Sequence, residues 1–324
     1  MNNFWLKLNK PIFVLAPMAD VTDVAFRRVI AKYGKPAVLW TEFVSADGLA
    51  LAPEEGRKKL LKHLEYSEAE RPIVAQFFTS SPENMKKAAE LAHELGFDGV
   101  DINMGCPDRS VEKQGTGAAL IKNPKLAREL IRAARTGAPS LPISVKTRLG
   151  YNKVDLDFLS EILEEKVSAL VVHLRTRKEM SKVSAHWELV PEILKIRDEV
   201  SPETFILGNG DVGSLEEARQ KVIETGCDGV MLGRAIFGNP FLFSKEKCPE
   251  GIEGLKLRLN ILVEHVNLFE ELLGEYKNFA IIKKHFKAYV AGFDQAGELR
   301  AKLMETNNAE EVERVINDFL PTCR

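Results

Sequence analysis

Long hydrophobic runs are missing from this 324-residue sequence. No stretch approaches the roughly 18 apolar residues of a membrane-spanning helix, so a helical membrane protein is not expected. The opening residues MNNFWLKLNKPIFVLAP lack a basic segment followed by a long apolar run, so no signal peptide is expected. Cysteine is scarce: four, at positions 106, 227, 248 and 323, with no CxxC pair and no nearby Cys-x-His spacing. That spacing argues against a zinc site and a disulfide framework, and it suits a reducing, cytoplasmic setting. A strong charge of one sign is also absent. With a formal net charge of −2, a nucleic-acid partner would have to meet a local basic face. Internal repeats and low-complexity segments are lacking, which excludes a solenoid.

What is present points to an α/β domain with a helical appendage. Hydrophobic residues make up 45% of the chain, enough for a sizeable core. Short apolar runs alternate with stretches of helical period from Ile12 to Phe243. The runs predict strands at Ile12–Ala16, Ala37–Thr41, Ile73–Phe77, Gly99–Asn103, Ile143–Thr147, Ala169–His173, Phe205–Asn209 and Gly229–Leu232. They are rich in Val, Ile and Leu without polar alternation, as expected of parallel strands covered on both faces. Ser81-Pro82, Asn123-Pro124 and a Ser214–Glu217 capping box are helix-start signals for Asn84–Leu95, Leu126–Arg135 and Val212–Thr225. Eight strand–helix units in about 240 residues suit a (β/α)8 TIM barrel better than a doubly wound sheet. Past Ser244 no strand signal returns, and helical patterns occupy Leu255–Leu273, Phe279–Ala291 and Glu310–Phe319. The expected organisation is a barrel over residues 1–244 and a separate all-helical bundle over 245–324, with the boundary near Lys245–Gly254.

In such barrels the chemistry sits at the C-terminal ends of the strands. Here those ends carry Pro17-Met18, Glu42, Gln76, Asn103, Lys146, His173, Asn209 with Asp211, and Gly233-Arg234, a convergence that predicts an active site. Gly208-Asn209-Gly210-Asp211-Val212-Gly213 matches GxGxxG, but after the seventh strand it suits an amide cradle for an anion better than a dinucleotide fold. Gly233-Arg234 adds bare backbone and a fixed positive charge. Lys146 suits a Schiff-base nucleophile or a charge beside an electron-rich ring, with Arg148 two residues on. His173 has no carboxylate or histidine at metal-ligand spacing, so contact with a phosphate or ring is favoured and no metal is expected. Gln76 offers donor and acceptor to an amide-edged heterocycle. Cys106, flanked by Gly105 and Pro107, has to be presented by a loop. Taken alone, it is more simply a small buried hydrophobe.

Several of these segments resemble the FMN-dependent tRNA-dihydrouridine synthases. The likeness runs through Ala16-Pro17-Met18-Ala19 with Thr22-Asp23 and Phe26-Arg27, then Asn103-Met104-Gly105-Cys106-Pro107 with Val111, Gly115 and Gly117-Ala118-Ala119-Leu120. It continues through Lys146-Thr147-Arg148, His173-Leu174-Arg175-Thr176, Asn209-Gly210-Asp211, Gly233-Arg234-Ala235, and Lys284-His285-Phe286 with Tyr289, Gly292 and Arg300. Departures are Asp20 in place of a common glycine, Leu174 inside its motif, and His186 where the family usually has Asp.

The resemblance implies FMN at the top of the barrel. Pro17, Met18 and Ala19 would lie along the isoalloxazine, Gln76 would meet its pyrimidine edge, and Lys146 would sit near N1. His173, Asn209, Gly210, Asp211, Gly233 and Arg234 would hold the ribityl chain and phosphate. The implied reaction reduces the C5–C6 bond of a tRNA uridine, with NADPH or NADH restoring the flavin. Hydride goes from flavin N5 to C6, and a proton goes from Cys106 to C5. An acid has to stay protonated, so an ordinary or raised thiol pKa is expected. Asn103 and Arg175 are the candidates for holding the uracil and its backbone. Lys283 and Lys284, with His285, Lys287, Arg300 and Lys302, are expected to form a basic tRNA-docking face on the helical part. No obligate protein partner is implied. Gly115–Leu120 is expected to order over bound tRNA.

Overall fold

The computed structural model describes residues 3–246 and 248–322. The strands are β1 (Ile12–Leu15), β2 (Leu39–Trp40), β3 (Val44–Ser45), β4 (Ile73–Phe78), β5 (Gly99–Met104), β6 (Ile143–Arg148), β7 (Ala169–His173), β8 (Phe205–Asn209) and β9 (Gly229–Leu232). Their pairing is parallel throughout the described residues, in the order β1-β9-β8-β7-β6-β5-β4-β2, with β3 also on β4. The seam between β1 and the second strand is bridged where Ala37 N–H donates to the Phe13 carbonyl at 3.0 Å. The result is a (β/α)8 barrel. Its second stave is broken in two: β2 pairs with Ile73 and Val74, β3 with Phe77 and Phe78. Across the gap the Thr41 hydroxyl accepts from Gln76 N–H at 3.0 Å, standing in for a ladder carbonyl.

Alternation along each strand sorts residues between the barrel interior and the layer under the helices. Ile12, Val14, Trp40, Val74, Val171, Leu207 and Met231 share the interior cluster with Trp5. Trp5 plugs the barrel, its ring 6.1 Å from Trp40 and 5.9 Å from Phe205. On β4–β6 the inward positions change character. Ile73, Ala75, Val100, Ile102, Ile143 and Val145 belong to the outer layer, so Gln76, Asp101, Asn103, Ser144 and Lys146 take the inner one.

The helices begin at the expected signals. Ser81 accepts from Asn84 N–H, Asn123 from Leu126 N–H and Ser214 from Glu217 N–H. The predicted Ser214–Glu217 capping box is modified, because the Glu217 carboxylate takes Gly213 N–H, 2.7 Å away. The helical part comprises Gly251–Leu273, a 3-10 turn Phe279–His285 running into Phe286–Tyr289, then Ala296–Glu305 and Ala309–Phe319. Ala296–Glu305 lies outside the predicted patterns. Its cap, Gln295, has φ 65° and offers no side-chain bond. Nor is the bundle's core separate: Leu262, Phe269, Phe286 and Ile316 pack in one cluster with Val24, Ala25 and Val29 of the barrel helix Val24–Tyr33. Lys247, inside the expected boundary segment, and Cys323 lie outside the described residues. Among the described residues no helix is long and apolar enough to cross a membrane.

Candidate active site

Two adjoining cavities open at the C-terminal ends of the strands. One, of about 760 Å3, is lined by Met18, Asn209, Gly210, Asp211, Gly233 and Arg234. The other, of about 470 Å3, is lined by Ala19, Asn103, Cys106, Pro107 and Arg148. Pro17, Met18, Lys146 and His173 line both, so they form one elongated site with an anion-receptive end and a thiol end.

The thiol end is built on the turn that follows β5. Asn103 Oδ1 accepts from Gly105 N–H at 3.1 Å and Cys106 N–H at 2.9 Å. Arg148 Nε donates to the Gly105 carbonyl at 2.8 Å, and Ala118 N–H to the Cys106 carbonyl at 2.9 Å. Burial pushes the half-buried Cys106 thiol above its ordinary pKa. A protonated sulfur at neutral pH follows, as an acid requires.

Gly115–Leu120 does not wait for RNA to become ordered. Gly117, Ala118 and Leu120 are already buried in the 3-10 helix Gly117–Lys122 beneath the cysteine loop. A β-carbon on Gly117 would stand 2.7 Å from the Cys106 carbonyl oxygen. Arg177 braces the same loop from the β7 side, pairing with Glu112 through Nε at 2.8 Å and through Nη2.

Cations dominate the middle of the site. Burial, with Arg148 alongside, pushes Lys146 down to about 8, against Asp101 and Cys106. Lys146 Nζ lies 3.4 Å from Asn209 Oδ1. Burial first, then Lys146, Arg148, Arg175 and Arg234, push His173 down to about 2, so its imidazole stays neutral. Such a wall attracts an anion or an electron-rich ring. Among the described residues no group of three or more His, Cys, Asp or Glu side chains could hold a metal ion.

Several predicted residues take positions other than expected. Gly213 N–H, part of the predicted anion cradle, is engaged by Glu217, while Gly208 makes room for the Trp187 ring. Asp211 is paired with Arg175 and, at 3.4 Å, with Arg234, so it orients cations. Arg175 is only 3% exposed, and its Nε donates to the Val183 carbonyl at 2.7 Å. It is built into the wall of the anion-receptive cavity, which it lines. Gln76 is fully buried, with Nε2 donating to Asp101 and Oε1 accepting from Asn103. Glu42 leaves the convergent set altogether: it is held by His63 and Lys277.

On the helical part, Lys284, Lys287 and Lys302 are exposed. Lys283 Nζ donates to the Met304 carbonyl at 2.8 Å, and Arg300 Nη1 to the Val290 carbonyl at 2.8 Å. His285 does not belong to that basic face. It is 2% exposed, between the rings of Phe26, Phe237 and His265.

Sequence reasoning missed Asp101, Ser144, Glu112 and Arg177. For Asp101 a signal existed, since a carboxylate interrupts the apolar run Gly99–Met104.

A dihydrouridine synthase (Dus) family profile matches residues 14–322. The chain is 44% identical over 320 residues to "Probable tRNA-dihydrouridine synthase 2" of Bacillus subtilis (strain 168), covering 98% of this chain and 96% of that one. It is 41% identical over 323 residues to "Probable tRNA-dihydrouridine synthase" of Staphylococcus aureus (strain MRSA252), covering 98% and 95%. Among solved structures, 6-hydroxypseudooxynicotine amine oxidase from Pseudomonas geniculata N1 aligns with a TM-score of 0.53 at 13% identity, over 81% of this chain and 53% of that one. A 2-naphthoyl-CoA reductase complex aligns with a TM-score of 0.53 at 11% identity, over 72% and 49%. These two share the fold. The full-length relatives and the profile establish more: this chain belongs to the dihydrouridine synthase family.

Proposed function

We propose that this chain reduces the C5–C6 double bond of uridine in tRNA, with FMN along the joined cavities and Cys106 as the acid. One juxtaposition carries this assignment: a thiol that burial keeps protonated shares its cavity with Met18, Lys146 and His173, which also line the anion-receptive end. The residues fit a flat ring with an anionic tail. Gly233 keeps the cavity wall bare, for a β-carbon there would stand 3.8 Å from Ala16 Cβ and 3.9 Å from Met18 Sδ. Arg234, 73% exposed in its side chain, and the amide of Gly210 suit the phosphate, while Asn209 and neutral His173 suit the ribityl hydroxyls. Pro17, Met18 and Ala19 suit the ring face, and Gln76 retains one N–H and one lone pair for its edge.

When bound and reduced by NADPH or NADH, FMN supplies the hydride for C6. Cys106 gives its Sγ proton to C5 and regains one from solvent. Lys146 remains largely cationic at neutral pH and stabilises negative charge on the ring against it. Asn103 lines the thiol cavity with one amide hydrogen left for the uracil. Arg175 acts indirectly, by holding Asp211 and the loop carrying Val183. A paired uridine has to leave its stack to reach the thiol. The exposed Lys284, Lys287 and Lys302, with Lys283 beside them, supply phosphate contacts for docking. A tRNA substrate puts the reaction in the cytoplasm.

The test is turnover. Purified protein, FMN and NADPH, then NADH, are incubated with an unmodified tRNA transcript and separately with free uridine, and dihydrouridine is mapped by position. Product at defined tRNA positions is expected. Turnover of free uridine without turnover of tRNA would instead mark a small-molecule flavin barrel.

A further inference from the structure

Asp101 lies at the centre of the barrel with no exposed surface, on a strand whose outward residues are all apolar. Its Oδ1 accepts from Ser144 Oγ and its Oδ2 from Gln76 Nε2 at 2.7 Å. From Gln76 the line continues outward. Gln76 Oε1 accepts from Asn103 Nδ2 at 3.2 Å, and Asn103 Oδ1 accepts from the amides of Gly105 and Cys106.

The direction of every bond in this line is forced. Backbone N–H groups can only donate, so Asn103 has to turn its oxygen to the cysteine loop and its NH2 to Gln76. Gln76 then has to present its oxygen to Asn103 and its NH2 to Asp101. The line therefore needs an acceptor at its inner end. If that end offered none, Gln76 would keep an unpaired buried N–H or flip, and a flip would set NH2 against NH2 at Asn103.

An interior of this kind does not need a carboxylate for packing. Val171, Leu207 and Met231 fill it on β7–β9 with apolar side chains. In the layer of Asp101 the register sets Gln76 and Ser144 on either side of it and the apolar Ala169 and Phe205 beyond. At this depth the polar positions are confined to β5, which carries the thiol loop, and its two neighbours. Burial pushes the Asp101 carboxyl up to about 6, against Ser144, Gln76 and Lys146, so it accepts on both oxygens at neutral pH.

We propose that Asp101 is a positioning residue: acting through Gln76 and Asn103, it orients the Gly105–Pro107 loop and thereby aims the Cys106 thiol. This rests on the assignment of Cys106 as the acid.

The experiment compares Asp101→Asn, which keeps an acceptor for Gln76, with Asp101→Val, which suits a strand and has none. Ser144→Ala, which leaves the amide line intact, is the control. Cys106 alkylation by iodoacetamide is followed by mass spectrometry in protein without substrate, with Cys227 and Cys248 as internal references. Asp101→Val is expected to speed Cys106 alkylation about tenfold, the effect of one lost anchoring hydrogen bond. It should also lower kcat by about 10²-fold, the size of a small misplacement, while KM for tRNA stays near wild type. Ser144→Ala should retain wild-type values in both assays. Asp101→Asn should retain wild-type alkylation and a kcat well above that of Asp101→Val, its remaining loss coming from a Lys146 that Asp101 no longer helps to keep cationic. If Asp101→Val does not fold, Asp101→Thr, whose hydroxyl is one bond too short to reach Gln76, takes its place.

Unchanged alkylation and kcat in the Val or Thr variant would overturn the proposal. So would an Asn variant as impaired as the Val one, because charge and not the acceptor would then matter. Failure of the underlying assignment looks different: Cys106→Ala would still form dihydrouridine, while the alkylation contrast among the Asp101 variants persisted.

Discussion

Lys277 Nζ, on the helical part, lies 3.0 Å from Glu42 Oε2 on the barrel rim, with side chains only 7% and 5% exposed. Glu42 also receives Asp20 N–H and stands 3.0 Å from His63 Nδ1. Burial works to raise its pKa, but His63 and Lys277 outweigh it and hold the carboxyl down to about 2, from an ordinary 4.5. This strand-end carboxylate therefore clamps the two parts of the molecule and lines neither cavity.

Breaking the clamp on one side leaves a charge buried alone. Lys277→Met should cost about 3–5 kcal/mol at pH 7, and adding Glu42→Gln should recover most of it. Urea unfolding of the single and double variants measures this. Because the folded pKa of Glu42 is depressed, its contribution is fully present above 4.5 and is lost as pH falls towards 2. The difference between wild type and Glu42→Gln should therefore be full at pH 7 and shrink under acid. A difference that grew below pH 4 would contradict the assignment.

How much of this was legible depended on what each feature needs in order to be seen. The strands showed because a parallel strand covered on both faces is a continuous apolar run. All eight predicted spans lie within two residues of an observed strand. The same continuity hid the polar interior of β4–β6. Which face Gln76, Asp101 and Ser144 occupy follows only from pairings such as Asp101 with Gln76 and with Ser144. His285 looked basic because its neighbours are. In a 3-10 helix residues three apart share a face, so His285 stacks above buried Ile282 while Lys284 and Lys287 stay outside. The helix Ala296–Glu305 went unseen because its cap offers no side-chain signal. At the site, Glu42 and Gln76 among the marked strand ends do not line the cavities, whereas Pro17, Met18, Asn103, Lys146, His173, Asn209, Asp211, Gly233 and Arg234 do. Those that hold them, Asp101, Glu112 and Arg177, act through pairings between distant segments.

Gly117 tests the support beneath the thiol. It has φ 58°, and a β-carbon would meet the Cys106 carbonyl oxygen at 2.7 Å and Val111 Cγ1 at 2.8 Å. Both neighbours belong to the active loop, so relief has to come from moving it. Gly117→Ala should lose about 1–3 kcal/mol of stability in denaturant unfolding and lower kcat more than it changes tRNA affinity. Limited proteolysis should find Gly115–Leu120 protected in the wild type without RNA, and cut in the variant.

The basic face makes a separate prediction about binding. Lys284 is 3.9 Å from Asp20 with its side chain 38% exposed, and Lys283 reaches no carboxylate among the described residues. Lys283→Glu with Lys284→Glu should weaken tRNA binding roughly equally across tRNA sequences. It should also reduce the slope of log affinity against log salt by about 2, one for each phosphate left without its lysine. Filter binding from low to physiological salt measures both. An unchanged slope would remove these two lysines from the docking face.

The thiol makes the most specific prediction, because an acid and a nucleophile respond to pH in opposite ways. A nucleophilic cysteine gains rate as it deprotonates, whereas a proton donor loses it. Burial raises the Cys106 pKa, opposed first by the Asp108 backbone N–H and then by Arg148 and Lys146, while the Asp108 charge adds to the rise. The rate of dihydrouridine formation in single turnover should therefore hold through neutral pH and fall on the alkaline side, with the thiol's own share of that fall coming above the ordinary thiol value. Lys146, at about 8, titrates in the same direction, so one wild-type limb does not separate the two groups. Cys106→Ala does separate them. It should bind FMN as the wild type does, lower the single-turnover rate by about 10²–10⁴-fold, and remove the thiol's share of the alkaline limb. A rate that climbed with pH in the wild type would instead mean that Cys106 attacks as a thiolate.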